Sequence, residues 1–248
     1  MRKYDLVKDK VDSRDLMYGK RHAVEIETFP EKIDLRKKCS PVVDQGQLGS
    51  CTANAIVSGL REFMLLNDKN NKFERLSRLF LYWWERELEG TVYRDSGASL
   101  RDGMKVLKNE GVCLEVSWPY DIKTFENSPT EKELKEAKNY TISGYQRIKS
   151  IDEIKHALLI DHLVVFGMTV YESFETVGTD GIVPVPKDGE KELGGHALCI
   201  VGYDDNFNNG SFIVRNSWGD AWGDEGYCYI PYSMFKYLMD IWTVKIGA

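Results

Sequence analysis

The chain has 248 residues, 42% hydrophobic and 29% charged, which allows a substantial core, in one large domain or two lobes, and excludes wholesale disorder. Lys and Arg number 33 against 39 Asp and Glu; the net charge of −6 and the absence of a basic tract argue against nucleic acid as a partner. The longest apolar stretch, 157–170, is broken by Asp161 and His162, so no membrane span or membrane partner is expected.

From the amino end, MRKYDLVKDKVDSRD is polar and lacks the apolar run of a signal peptide, which points to the cytoplasm. Residues 1–30 are charged and irregular, end at Phe29-Pro30, and read as an extension ahead of the body. A turn-rich segment with two glycines then leads to Cys51. Ser50 is placed to cap a helix whose apolar positions are Ala53, Ile56, Val57, Leu60, Phe63 and Met64. A second helix starts near Ser77, carries Trp83 and Trp84 as core aromatics, and stops at Gly90. A third is predicted over 99–109, with Leu100, Met104 and Leu107 inward. Residues 31–130 thus read as a helical unit, with the boundary near the Ser128-Pro129 turn.

Residues 131–248 change character. Thr130 with Glu133, and Ser150 with Glu153, form capping-box patterns before two short helices. Five β-like runs follow: 163–170, 197–203, 212–215, 227–230 and 242–246. Helices first and strands later imply an α+β fold, arranged as two lobes. The five cysteines show no CxxC spacing and the four histidines no HExxH pattern, so neither a disulfide framework nor a metal or other cofactor is expected.

Cys51 opens a predicted helix, where unsatisfied backbone N–H groups and the helix dipole favour thiolate. A thiolate is a competent nucleophile toward a carbonyl. His196, in GGHALCIVGYDD, lies just ahead of a β-run and can serve as acid and base. Asn216, in RNSWGDAWGDEGY, can orient that imidazole, and Trp218 can shield the bond from water. Gln45 can aim its amide at a developing oxyanion beside the Cys51 backbone N–H. Each residue alone has a bland reading: a buried thiol, a hydrogen-bonded histidine, a turn asparagine, a loop glutamine. Cys113, Cys199, Cys228, His156 and His162 read as structural.

Taken together, Gln-Gly-x-x-Gly-Ser-Cys, Gly-His-Ala-x-x-x-Val-Gly-Tyr and Asn-Ser-Trp-Gly-x-x-Trp-Gly-x-x-Gly-Tyr resemble the papain-like cysteine peptidases, in the right order, from about Ile33 to the carboxyl end. That family places His and Asn roughly 130–150 residues after the nucleophile; here they follow by 145 and 165. The resemblance implies a helical left lobe with the nucleophile, a β-rich, barrel-like right lobe with His and Asn, and a cleft between them for a peptide or protein substrate. It assigns Cys51 as nucleophile, His196 as acid/base, Asn216 as orienter and Gln45 with the Cys51 N–H as oxyanion donors. Gly97 and Ala98 take the place of the family's glycine pair, Gly195 allows close approach, and Leu100 is a candidate pocket wall. Leu48 stands where a disulfide cysteine is usual and Thr52 where an aromatic is usual, as in intracellular bacterial or viral relatives. The stretch VDSRDLMYG resembles their short extensions, and implies that residues 1–30 pack on the surface or occlude the cleft as an intramolecular inhibitor. The competing functions are a silent papain-fold binding module and a thiol acyl transferase or amidase.

Overall fold

The computed structural model of the chain describes residues 2–19, 28–68 and 72–245. Residues 20–27 of the extension and Ile246 of the last β-run lie outside that set.

The helix that begins at Cys51 is buried on every face from Cys51 to Phe63, as its dense apolar pattern requires. It starts as α1 (Cys51–Ala53), widens to a π-helix over Asn54–Arg61, and closes as α2 (Glu62–Leu66). In the widened part the Glu62 N–H reaches back five residues to the Val57 carbonyl. Side chains supply further donors to nearby carbonyls: the Ser58 hydroxyl donates to Asn54 at 2.6 Å, and the Asn54 amide to Ser50 at 2.9 Å. Ser50 does not cap this helix; its hydroxyl is taken by the Tyr120 hydroxyl at 2.6 Å and by the Asn54 amide at 3.0 Å. A side chain at Gly59 would collide with Cys199 of the sheet, so this glycine lets helix and sheet touch.

Helix α3 (Arg78–Glu89) is capped by Ser77, which accepts the Phe80 N–H, and ends at Gly90 in the left-handed region. Helix α4 (Leu100–Asn109) is capped by Ser99. The Thr130–Glu133 box forms at the head of α5 (Glu131–Ala137). At α6 (Ile151–Leu159) only half of the box forms: Ser150 accepts the Glu153 N–H, while the Glu153 carboxylate turns to the Lys149 N–H at 2.7 Å.

One antiparallel sheet of seven strands carries the rest: β1 (Lys32–Asp34), β2 (Tyr145–Arg147), β3 (Val164–Tyr171), β4 (Glu192–Asp204), β5 (Ser211–Arg215), β6 (Tyr227–Pro231) and β7 (Leu238–Val244). Its order is β2-β7-β3-β4-β5-β6, with β1 added against β4. Strand β4 starts at Glu192, before the predicted run, because Gly194–His196 pair with Met168–Val170 of β3. Helices α1 and α6 and the π-helix pack on β4 and β3, which explains why β3 is a nearly unbroken apolar run. The result is the α+β fold expected from the sequence.

Candidate active site

Three segments converge where the Cys51 helix meets the sheet. Cys51 is the first residue of α1 and fully buried, and the Ala197 backbone N–H acts to lower its thiol pKa. His196 sits one residue earlier on β4. The β4–β5 ladder places Cys199 opposite Arg215, which carries Asn216 back to His196. The His196 Nε2 and Asn216 Oδ1 lie 2.9 Å apart. That same Oδ1 accepts the Ser217 backbone N–H at 2.8 Å, so it is an acceptor and Nε2 must carry the ring proton. The Nδ1 lone pair remains, buried and without a hydrogen-bond partner. Trp218 stacks on the imidazole at 4.8 Å and 20°, covering the His–Asn bond.

Gln45 is held from four sides. Its side-chain oxygen accepts the Ser217 hydroxyl at 2.6 Å, and one amide N–H goes to the Leu48 carbonyl at 3.0 Å, leaving the second N–H. Its backbone pairs with the Ser217 carbonyl at 2.9 Å, and its carbonyl accepts the Tyr120 hydroxyl at 2.9 Å. The loop before Cys51 is thereby tied to the segment that bears Asn216.

The backbone positions singled out for substrate are occupied by the chain itself. Residues 2–19 form a strap that runs through the site. The Leu6 N–H donates to Gly195 at 3.1 Å, the Gly195 N–H donates to Tyr4 at 3.1 Å, and the Val7 N–H donates to Ala98 at 3.0 Å. A Cβ on Gly97, which has φ +68°, would fall 1.7 Å from the Asp5 carbonyl oxygen, so only glycine admits the strap there. The Leu6 side chain points at Gly167, Met239 and Gly195. Gly167 and Met239 carried no signal in the sequence; Leu100, the predicted wall, is buried at the head of α4. The Tyr4 ring meets His196 and Trp218 edge-on, and the Arg2 guanidinium lies 4.0 Å from the Trp218 ring centre.

Residues 29–238 match the family model described as papain family cysteine protease. The chain belongs to this family. A peptidase C1-like protein of Acanthamoeba polyphaga mimivirus is 40% identical over 96% of this chain and 83% of its own length. Xylellain, a cysteine protease from Xylella fastidiosa of known crystal structure, is 37% identical with a TM-score of 0.89, covering 99% of this chain and 96% of that one. Cysteine proteinase 3 of Entamoeba histolytica is 28% identical over 82% of the chain, which spans 63% of that protein. The chain is a papain-like cysteine peptidase, a hydrolase whose substrates are peptides or proteins.

With residues 2–19 lying over the site, burial opposes charge on both Cys51 and His196. Burial pushes the Cys51 thiol up to about 12, with Glu85 and Asp5 adding to the effect and the Ala197 and Thr52 N–H groups opposing it. Burial likewise pushes His196 down to about 4; Arg2 lowers it further and the Asn216 bond raises it. The thiolate expected from the helix start is therefore suppressed while water is excluded, because desolvation outweighs the helix-end field. All five cysteines are free thiols, and Cys113, Cys199 and Cys228 are buried as predicted.

Sequence reasoning missed Glu85, a fully buried carboxyl that accepts the Thr52 hydroxyl at 2.7 Å, one residue beyond Cys51. Burial raises its pKa well above the ordinary value, and Glu89 and Asp102 add to this. A raised carboxyl pKa contributes stability that is complete below its unfolded value and is lost as pH rises through the folded value. Glu85→Gln is expected to flatten the fall of Tm with rising pH and to equal or exceed the native Tm at pH 8. Melting curves from pH 5 to 9 check this; a variant that loses Tm equally at every pH would contradict a neutral Glu85.

Proposed function

We propose that peptide hydrolysis runs through Cys51 and His196 across a cleft between a lobe spanning 31–130 and a lobe spanning 131–248. The observation that carries this reading is the imidazole's arrangement: Nε2 is committed to Asn216, and Nδ1 is left without a partner among the described residues, on the residue next to Ala197, whose backbone N–H acts on the Cys51 thiol. In the open cleft Nδ1 takes the thiol proton. The sulfur attacks the scissile carbonyl carbon, forming a C–S bond while the oxygen gains charge. The free Gln45 N–H and the Cys51 backbone N–H hold that oxyanion. His196 gives its proton to the leaving amine as the C–N bond breaks. It then draws a proton from water, whose oxygen attacks the thioester and releases the acid and the Cys51 thiol. Asn216 fixes the tautomer and Trp218 keeps water from that bond. The Gly97, Ala98 and Gly195 backbone groups that now bind the strap receive the substrate main chain.

The strap is the intramolecular inhibitor in this reading. It occupies the same backbone groups, covers the imidazole with Tyr4, and leaves both reacting groups neutral. Rapid mixing with a nitrophenyl ester tests the chemistry. A burst of nitrophenolate is expected, with an amplitude that counts the active sites and a rate that scales with the open fraction, followed by steady release of free acid. Absence of a burst would point to a silent binding module, and transfer of the acyl group to added amine in preference to water would point to a transferase.

A further inference from the structure

Between α3 and α4 one carboxylate joins the two loops that must be in register for peptide cleavage. The Asp95 side chain is 12% exposed. Its oxygens accept the Gly49 backbone N–H at 3.0 and 3.1 Å and the Tyr82 hydroxyl at 2.5 Å. The Tyr82 oxygen in turn accepts the Gly97 backbone N–H at 3.2 Å. A single chain of hydrogen bonds therefore runs from Gly49, two residues before Cys51, through Asp95 and the buried Tyr82 to Gly97. The first loop carries Gln45 and leads into Cys51; the second carries Gly97 and Ala98. Gly49 is pressed by this arrangement, since a Cβ there would lie 3.0 Å from an Asp95 oxygen and 3.0 Å from an Asp5 oxygen. The Lys3 ammonium of the strap binds the same carboxylate.

We infer that Asp95 and Tyr82 are positioning residues that fix the distance from the nucleophile loop to the backbone rung at Gly97, and that Asp95 is also the strap's ionic anchor at that rung. Neither touches the reacting atoms. Their effect is on how well a bound peptide bond is presented to the sulfur, where a displacement of about 1 Å can cost on the order of 100-fold. Lys3 neutralises the carboxylate only while the strap is docked. When the strap leaves, Asp95 keeps its two neutral donors, and the register survives opening.

This inference rests on Cys51 being the nucleophile, so the test separates the two. The full chain is assayed with a peptide substrate and with a small nitrophenyl ester that does not reach Gly97, every rate is divided by the burst amplitude to count active sites, and the rate of strap opening for each variant is read from hydrogen exchange of the Leu6 and Val7 amides. A native enzyme without a burst would sink the nucleophile reading itself. Given a burst, Tyr82→Phe is expected to lower peptide kcat/KM about tenfold through KM, with ester acylation within about twofold of native. Asp95→Asn is expected to lower peptide kcat/KM about 100-fold and ester acylation about tenfold, because the Gln45 loop also loses its tie. Lys3→Ala is expected to raise the peptide and ester rates by the same factor, leaving their ratio unchanged. Equal losses on both substrates in Tyr82→Phe, or no loss on the peptide, would overturn the inference; Tyr82→Phe decides the matter even if Asp95→Asn does not fold.

Discussion

Cys51→Ala is expected to reduce peptide turnover by at least about 10⁴-fold, leaving only what binding and the oxyanion donors supply to attack by water. The reason is chemical rather than structural. The side chain is fully buried at the head of α1, and removing one sulfur there costs about 1 kcal/mol of stability at most. The melting transition and the docked strap should therefore persist while activity vanishes. Iodoacetamide labelling gives a second readout. Burial pushes the Cys39 and Cys113 thiols up to about 11 and about 12, and raises Cys199 and Cys228 further. Cys113, Cys199 and Cys228 stay buried, and the partly exposed Cys39 is a thiol of raised pKa, so the fast label of the native chain should fall on Cys51 and be lost in the variant. Retained turnover in Cys51→Ala would end the proposed mechanism, and label on another thiol in the native chain would end the claim of selectivity.

How much of this site was legible in the sequence depends on what each residue's role requires. The roles proposed for Cys51, His196, Asn216 and Gln45 rest on side-chain chemistry, and their residue types and order could be read directly. The Trp218 stack could be read as well, since an aromatic two residues beyond the orienting Asn has few other places to lie. Glu85 could not. It appears on α3 as one more acid in a charged helix, and only the packing of Thr52 and Gly103 against it makes it a buried carboxyl of raised pKa. Gly167 and Met239 were equally silent, because their role is to leave or fill space beside Leu6. At the helix level the apolar period located the Cys51 helix but not its π-helical widening. That widening leaves the apolar face in place, so the pattern carries no trace of it. Strands β1 and β2, three residues each, are too short to show alternation; their pairing to β4 and β7 is a tertiary fact.

The strap yields the other large effect. Deleting residues 1–8 removes Leu6, Val7 and the cover over His196, and keeps the ionic cluster beyond them. In that cluster Asp9 accepts from the Trp242 indole at 2.9 Å and pairs with Arg147 at 2.7 Å, and Arg147 also reaches Asp240 at 3.1 Å. The deleted piece holds the cleft through three backbone hydrogen bonds, the Lys3–Asp95 ion pair, the Tyr4 hydroxyl bond to Glu175 at 2.6 Å, and the buried parts of Tyr4 and Leu6. After the cost of ordering eight residues this leaves a net of about 2–3 kcal/mol, so kcat/KM is expected to rise about 100-fold. The docked state also sets a pH dependence. His196 is held at about 4 when capped against an ordinary 6.5, so docking is fully supported above the ordinary value and weakens as pH falls toward 4. Lowering the pH from 7.5 to 5.5 should favour opening through this group. The Cys51 thiol, raised to about 12 from 9, favours opening only in alkali. Asp9 acts in the opposite sense: burial and Asp240 raise it in the docked strap, so its protonation holds the strap. Asp9→Asn removes that opposing contribution and should steepen the acid opening. Hydrogen exchange of the Leu6, Val7 and Gly195 amides, corrected for intrinsic rates, reads the opening directly. Exchange that does not quicken between pH 7.5 and 5.5 in Asp9→Asn, or a shortened chain no faster than the native one on peptide, would show that the strap is packed in the cleft without restraining the enzyme.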